Sequence, residues 1–368
     1  MRVAVITLHR IHNYGSVLQA YATQRIFEAM GHDTVIVDYI TPQRTRRKLY
    51  TLRPAGSSGG FKGMLIHGAR IASLIIRDIT FGHFRERYMK LTGKYVTPED
   101  LEKNPPVADL YVSGSDQVWN SHYNEGVDRG FFLDFISEDC RRLAFVSSFG
   151  KTSLDDSEKH QIRKYLDRYQ ALSVREDSAL EIIRDLGRQD AVHLLDPTLQ
   201  LSREEWMKIA SPRLVHEPYV LLMLLYNEDN HATEYARKIA DAKGLKLVRL
   251  SWGLKKPAGV DVLMTHRSPQ DFISLFANAD FIVTNSFHGL AFSINLEKQF
   301  IVVPRNEFNS RIESLLRLTG LSGRMIRGQD CLVTAREYID YTSVRKILEA
   351  EREKARAFLT RYVGLEKQ

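Results

Sequence analysis

Short apolar runs alternate with helical spacings along most of the chain. Arg2 to Leu8 reads as an opening strand, and Ser16 to Met30 carries Val17, Leu18, Tyr21, Ile26 and Phe27 as an amphipathic helix. Gly31 ends that helix, and Thr34 to Tyr39 is a second strand. Further strands are expected at Ala108 to Ser113, Arg141 to Ser147, Ala171 to Val174 and Val192 to Asp196, with a helix around Ser157 to Tyr169. After an irregular stretch from Leu201 to Pro218 the pattern restarts. Tyr219 to Tyr226 is a strand, His231 to Lys243 a helix, Leu245 to Leu250 a strand and Pro269 to Ala277 a helix. Phe281 to Thr284, Phe287 to Glu297 and Gln299 to Val303 then form a βαβ unit stopped by Pro304, followed by helices at Arg311 to Leu318 and Ser343 to Tyr362. This alternation belongs to the α/β class, with parallel sheets covered by helices on both faces. It predicts two Rossmann-like, doubly wound domains facing across a cleft between their strand ends. Residues 1–200 make the first, with a basic amphipathic insertion at 41–90; residues 201–342 make the second. The terminal helix, 343–368, is a candidate to cross back to the first domain.

Composition narrows the class. With 368 residues, 43% hydrophobic and 26% charged, the chain reads as a soluble globular protein. MRVAVITLHR lacks the long apolar core of a signal peptide, and no run is apolar enough to span a membrane, so a cytoplasmic protein is expected. Cys140 and Cys331 stand far apart and outside any metal spacing. A net charge of +7 asks for an anionic partner. Basic residues are not interleaved with aromatics as a single-strand reader requires, so no nucleic acid is expected. An anionic substrate or an anionic membrane surface suits the charge at least as well. Thr41 to Gly60 carries Arg44, Arg46, Arg47 and Lys48 before a GSSGG run. Phe61 to Phe81 then sets Met64, Leu65, Ala69, Ala72, Leu74, Ile75, Ile76 and Ile79 against Lys62, His67, Arg70, Ser73 and Arg77, with Asp78 the first acid. That describes either an interfacial membrane contact on the inner face of the cell membrane or a helix packed on its own sheet.

Candidate chemistry lies at strand ends, where open α/β sheets bind ligands. His9, Arg10 and His12 precede Asn13-Tyr14-Gly15-Ser16, a junction without the GxGxxG of a dinucleotide site. Ser113 to Asn120 gathers two hydroxyls, a carboxylate, an amide and an indole after Gly114, too many polar groups for simple packing. Arg175 could clamp a carboxylate or phosphate bidentately, or pair structurally with an acid. Asn285 and Ser286 can cap the helix that starts at Phe287, leaving His288 and Gly289 at a mouth that favours anions. A lone histidine at such a junction is more often a packed or capping residue.

Six stretches occur in order: Asn13-Tyr14-Gly15-Ser16-Val17-Leu18-Gln19-Ala20, Gly114-Ser115-Asp116-Gln117-Val118-Trp119-Asn120, Ser148-Phe149-Gly150, Arg175-Glu176-Asp177-Ser178, Asp196-Pro197-Thr198 and Thr284-Asn285-Ser286-Phe287-His288-Gly289. Together they resemble the polysaccharide pyruvyl transferase family from Met1 to about Leu321. The resemblance implies a GT-B-like fold and transfer of a pyruvyl unit from phosphoenolpyruvate onto two hydroxyls of one sugar. The product is a cyclic ketal, with release of phosphate. The implied acceptor is a cell-surface glycan or its lipid-linked precursor. The implied donor residues are Arg175, Ser286, Phe287, His288 and Gly289. Many relatives carry Arg-Leu where this chain has Ser286-Phe287, so Arg305 or Arg311 is expected to supply the missing charge. His9, Asn13, Tyr14, Ser115, Asp116, Gln117, Trp119, Asn120 and Ser148 are the expected acceptor residues. His288 is the expected general acid and Asp116 the expected base, with Arg175 beside them. No cofactor or metal is expected, since no DxD or His/Cys ligand spacing is present. The competing readings are a nucleotide-sugar glycosyltransferase of the same fold and a non-catalytic carbohydrate- or nucleic-acid-binding protein.

Overall fold

In the computed structural model, which describes residues 1–41, 61–225, 231–306, 309–328 and 330–364, every pairing between the described strands is parallel. The first sheet contains β1 (Arg2–Ile6), β2 (Asp33–Tyr39), β3 (Leu91–Tyr95), β4 (Leu110–Ser113), β5 (Arg141–Ser147), β6 (Ala171–Val174) and β7 (Val192–His193). Their order is β3-β2-β1-β4-β5-β6-β7. The second contains β8 (Tyr219–Met223), β9 (Lys246–Ser251), β10 (Val262–Thr265), β11 (Phe281–Thr284) and β12 (Phe300–Val302), ordered β10-β9-β8-β11-β12. Parallel strands need helical crossovers, which cover both faces, so central strands become short apolar runs buried throughout. LYVS of β4, YVLLM of β8 and FIVT of β11 are of that kind. The edge strands β3 and β10 are only partly buried. LTGKY of β3 has no apolar run to mark it, whereas VLMT of β10 has one that the strands expected from the sequence do not include.

The chain divides into two compact units, Met1–Arg175 with Ala179–His193, and Glu176–Ser178 with Leu194–Gln368. The division comes slightly before the boundary expected at residue 200. Helix Tyr341–Val363 falls within the second unit. Arg352 Nε donates to the Leu199 carbonyl at 2.9 Å and its Nη2 to Asn295 Oδ1 at 3.1 Å.

Each sheet has one place where successive crossovers diverge, between β1 and β4 in the first and between β8 and β11 in the second. The helices entering there, Tyr14–Ala29 and Phe287–Asn295, are buried far beyond a single stripe. Helix Phe61–Tyr88 covers the former through Tyr14–Phe81 and Tyr21–Phe84 ring contacts at 5.4 and 5.9 Å. It runs past the expected end at Phe81 because Phe84 continues its buried side. Leu74, Phe81 and Phe84 are buried, whereas Met64, Ile66, Ile75, Ile76 and Ile79 are exposed. The basic loop expected before it, including Arg44, Arg46, Arg47 and Lys48, lies outside the described residues.

Two positions test this construction. Arg142 is buried and donates to the carbonyls of Ile136, Ser137 and Cys140 at 2.7, 2.8 and 3.1 Å, satisfying a loop that would otherwise carry orphaned acceptors. Arg142→Met is expected to cost about 3 kcal/mol, read as a lowered urea midpoint. A Cβ on Gly289 would lie 2.3 Å from Thr284 Oγ1. Gly289→Ala is therefore expected to lower stability by about 1–3 kcal/mol, and adding Thr284→Ala should cost less than the two single losses summed. Additive losses in chemical denaturation would show that the contact is not the cause.

Candidate active site

In the first unit the β1 and β4 ends are tied by Thr7, whose hydroxyl donates to the Ser115 carbonyl at 2.7 Å. Gln19, one turn into the following helix, donates to Thr7 Oγ1 and to the Ser16 carbonyl, both at 2.9 Å. This places Ser16 so that its hydroxyl donates to Asp116 Oδ2 at 2.5 Å. The other carboxylate oxygen accepts from the Gln117 amide at 2.9 Å and from Arg175 Nη2 at 3.3 Å. Asp116 has φ +70, and on the neighbouring strand Val146 has φ +61. Left-handed backbone is costly for a β-branched residue, by about 1–3 kcal/mol. It accompanies an irregularity in the β5–β6 register between Ala144 and Ser147, held by Ser173, whose hydroxyl donates to the Ala144 carbonyl and accepts from the Val146 amide. Bulges of this sort redirect a strand end beside a site. Here the result is that the Ser148 amide donates to the Asp116 carbonyl at 3.1 Å. Gly150, at φ +62, completes the turn; a Cβ there would sit 2.0 Å from Gln117 Oε1.

The residues expected to bind acceptor separate into two groups. Asn13 and Gln117 reach the surface, and Asp116 is slightly exposed. Tyr14 is buried against Phe81. Ser115, Trp119, Asn120 and Ser148 are interior. Trp119 stacks on Phe132 at 5.4 Å, and Asn120 caps the short helix Ser121–Asn124 while donating to Gln117 Oε1 at 2.7 Å. His9 is fully buried, with Nδ1 3.1 Å from the Thr7 carbonyl and Nε2 3.1 Å from Asp38 Oδ1. Arg10 pairs with the same carboxylate. Burial by itself would raise the Asp38 pKa, but hydrogen bonds from His9 and Arg10 hold it well below the usual carboxylate range. Trp119 and Asn120 thus form the frame around Asp116 rather than its surface, and His9 is taken up by Asp38.

In the second unit the Thr284 hydroxyl donates to the Met223 carbonyl at 2.8 Å, and Asn285 Oδ1 accepts from the Leu225 amide at 2.6 Å, joining the β8 and β11 ends. Ser286 caps the following helix, its hydroxyl accepting from the Gly289 amide at 3.3 Å. His288 occupies the first turn and is 7% exposed. Its Nε2 lies 3.8 Å from Oδ2 of the fully buried Asp196 carboxylate. Asp196 Oδ1 accepts from the Thr198 amide and hydroxyl at 2.9 and 2.7 Å, which fixes the carboxylate before Pro197 starts the next helix. Arg311 brings its guanidinium carbon to 5.8 Å from the Phe287 ring centre. The Arg305 amide donates to Asn309 Oδ1 at 2.9 Å, and both arginines are largely buried. The helix mouth therefore carries a histidine with a carboxylate behind it, a positive dipole end and a nearby guanidinium. Asp196 and Ser16 both fall within the six stretches, but their local sequence marks neither as a site residue. Nothing in local spacing says that Asp196 faces His288 or that Ser16 faces Asp116.

Comparison with known proteins agrees with this frame. No curated protein sequence matches the chain. Among solved structures, one from Listeria monocytogenes assigned as a UDP-N-acetylglucosamine 2-epimerase is similar at TM-score 0.52 and 12% identity, covering 99% of this chain and 97% of that one. The Staphylococcus aureus MnaA–UDP structure is similar at TM-score 0.51 and 10% identity, covering 100% and 98%. Likeness at that identity concerns the fold: two parallel α/β sheets, as in GT-B-like proteins. The family model for polysaccharide pyruvyl transferase matches residues 13–307, a span that begins at the Asn13 cap and includes Asp116, Arg175, Asp196 and His288. The chain belongs to the polysaccharide pyruvyl transferase family, a family of transferases.

Proposed function

We propose that the protein transfers a pyruvyl unit from phosphoenolpyruvate to two hydroxyls of one sugar in a cell-surface polysaccharide or its lipid-linked precursor. The reaction balances without a cofactor or metal. The methylene carbon of the donor gains a proton, and the adjacent carbon bonds to two acceptor oxygens while its bond to the phosphate oxygen breaks. Of the two hydroxyl protons, one is accounted for in the new methyl group and the other leaves with phosphate. Work inside the cell suits a cytoplasmic donor, and a lipid-linked acceptor would bring the protein to the inner face of the membrane. Among the described residues, no helix is long and apolar enough to cross it.

The observation that carries this reading is the His288–Asp196 pair at the mouth of a buried helix. A protonated imidazole has two N–H donors. With Nε2 directed to Asp196, Nδ1 is the atom that meets the donor phosphate and assists its departure as general acid. The helix dipole and Arg311, beside Phe287, supply positive charge where the Ser286-Phe287 sequence has none. Ser286 shapes the mouth through its cap, and Arg305 lies in the loop that leads to Arg311. In the first unit Asp116, held by Ser16 and Arg175, is the group that takes a proton from an acceptor hydroxyl. Asn13 and Gln117 border it at the surface.

His288→Ala is expected to lower acceptor-dependent phosphate release from phosphoenolpyruvate by roughly 10²- to 10⁴-fold. Turnover like that of the wild type would sink the acid assignment. Asp196→Asn keeps the Thr198 cap and removes the charge, so kcat should fall by about 10²-fold with thermal stability little changed. Arg311→Met should instead appear mainly as a raised KM for phosphoenolpyruvate. Release of nucleotide from a nucleotide sugar, with no phosphate from phosphoenolpyruvate, would assign the site to glycosyl transfer.

A further inference from the structure

Beyond the Asp116 turn, the first unit has an open pocket of about 370 Å³ that the proposed chemistry leaves unused. Its wall is built from the short helix Ser121–Asn124, from Lys151 and from the first turns of helix Asp156–Leu166. A chain of bonds connects it to Asp116. Gln117, whose amide donates to Asp116 Oδ1, accepts from Asn120 Nδ2 at 2.7 Å. Asn120 in turn caps the helix that carries Ser121, and Gly150, which lies against Gln117, leads directly to Lys151. Both loops leave the carboxyl ends of neighbouring strands, β4 and β5, on the edge of the sheet where Asp116 stands.

The polar groups of this pocket are fixed before anything binds. Lys151 Nζ donates to Glu158 Oε1 at 2.6 Å and to the Ser121 hydroxyl, which itself donates to Glu158. Burial would raise the Glu158 pKa, but the bonds from Lys151 and Ser121 hold it below the usual carboxylate range. Asp155 caps the helix, its Oδ1 accepting from the Glu158 amide and the Ser157 hydroxyl, both at 2.8 Å. An ammonium has three N–H groups, so one remains for a ligand, and Asp155 Oδ2 retains acceptor capacity. Gln161, one turn beyond Ser157, supplies an amide that can both donate and accept.

Charge and polarity decide what fits. Lys151 and Glu158 cancel, and Asp155 leaves the wall negative, which disfavours phosphoenolpyruvate or any other phosphorylated ligand. Val127 alone among the lining side chains is aliphatic, too little for a lipid tail or an aromatic base. A neutral ligand dense in hydroxyls meets both conditions, because each hydroxyl donates and accepts as Lys151, Asp155 and Gln161 require. The volume lies near the lower end of small-molecule pockets, about 300–1,000 Å³, and suits a single pyranose ring. We infer that this pocket holds a second, neutral sugar residue of the acceptor glycan, next to the residue that receives pyruvate at Asp116. Its use as an acceptor subsite rests on the proposed pyruvyl transfer; sugar binding in the pocket does not.

The test uses the full chain with neutral probes, the methyl glycosides of hexoses and N-acetylhexosamines and disaccharides that end in each of them. Binding is read by saturation-transfer NMR, and turnover by phosphate release from phosphoenolpyruvate. The best disaccharide should show a KM about tenfold below that of its terminal monosaccharide. Asp155→Ser/Gln161→Ala keeps a helix cap and removes two ligand groups. It should raise the disaccharide KM about tenfold and leave the monosaccharide KM, kcat and melting temperature unchanged. Lys151→Met should weaken the disaccharide likewise, with a lowered melting temperature because Glu158 loses its partner. Absent disaccharide binding, equal KM for the two probes, or a disaccharide KM that neither variant changes overturns the inference. So does a kcat that falls alike for both probes, because the cluster would then only brace the turn at Gly150. No phosphate release with any probe, beside disaccharide binding that the double variant abolishes, would sink pyruvyl transfer and leave the sugar site standing.

Discussion

At each switch point two adjacent parallel strands end with their chains about to diverge, leaving carbonyls that no neighbouring strand can satisfy. In both sheets a threonine hydroxyl resolves this. Thr7 donates to the Ser115 carbonyl and Thr284 to that of Met223. Each bond holds together the very pair of strands from which the candidate site is built. Gln19 then fastens the first helix to Thr7, and the close approach at Gly289 fastens the second to Thr284. Side chains that must act on a ligand are thereby mounted on backbone that is fixed before any ligand arrives, which is what preorganised charge stabilisation requires.

The two sites solve different electrostatic problems with the same architecture. Around Asp116, three donors converge on a carboxylate, and the left-handed conformations of Asp116 and Val146 are the local cost of aiming the strand ends there. Around His288, the arrangement is reversed: a carboxylate, a helix N-terminus and a guanidinium surround a group that can carry a proton. Asp196 has no freedom to turn away, because Thr198 holds its other oxygen twice. Ser286 and Phe287, ahead of His288 and Gly289, bring no charge of their own. Phe287 receives Arg311 against its ring, so the helix mouth gains a cation from a different element.

The insertion between β2 and β3 illustrates how one helix can have two allegiances. Its buried side closes over the Tyr14 and Tyr21 face of helix Tyr14–Ala29, while Ser16 and Gln19, on the opposite face, are buried against the strand ends at Asp116 and Thr7. The insertion's other side keeps a row of isoleucines in solvent.

Much of the frame was legible in the residues alone. Central strands such as FIVT and YVLLM announce themselves because burial on both faces forces a continuous apolar run, and a cap such as Ser286 marks a helix start by local hydrogen bonding, whereas the first helix starts at Tyr14 behind Asn13 and not at Ser16. His288 and Asp116 could be placed at strand ends for the same reason. What local pattern does not encode is which loops a parallel sheet brings together. The edge strand β3 carries no apolar run because only part of it is buried. Placing Trp119 and Asn120 in the interior while Gln117 reaches solvent depended on the turn at Ser148 to Gly150, and placing His9 there depended on Asp38 of the neighbouring strand. The Asp196–His288 and Ser16–Asp116 partnerships span about a hundred residues of sequence each, and only the crossovers of the folded sheets bring those atoms within reach.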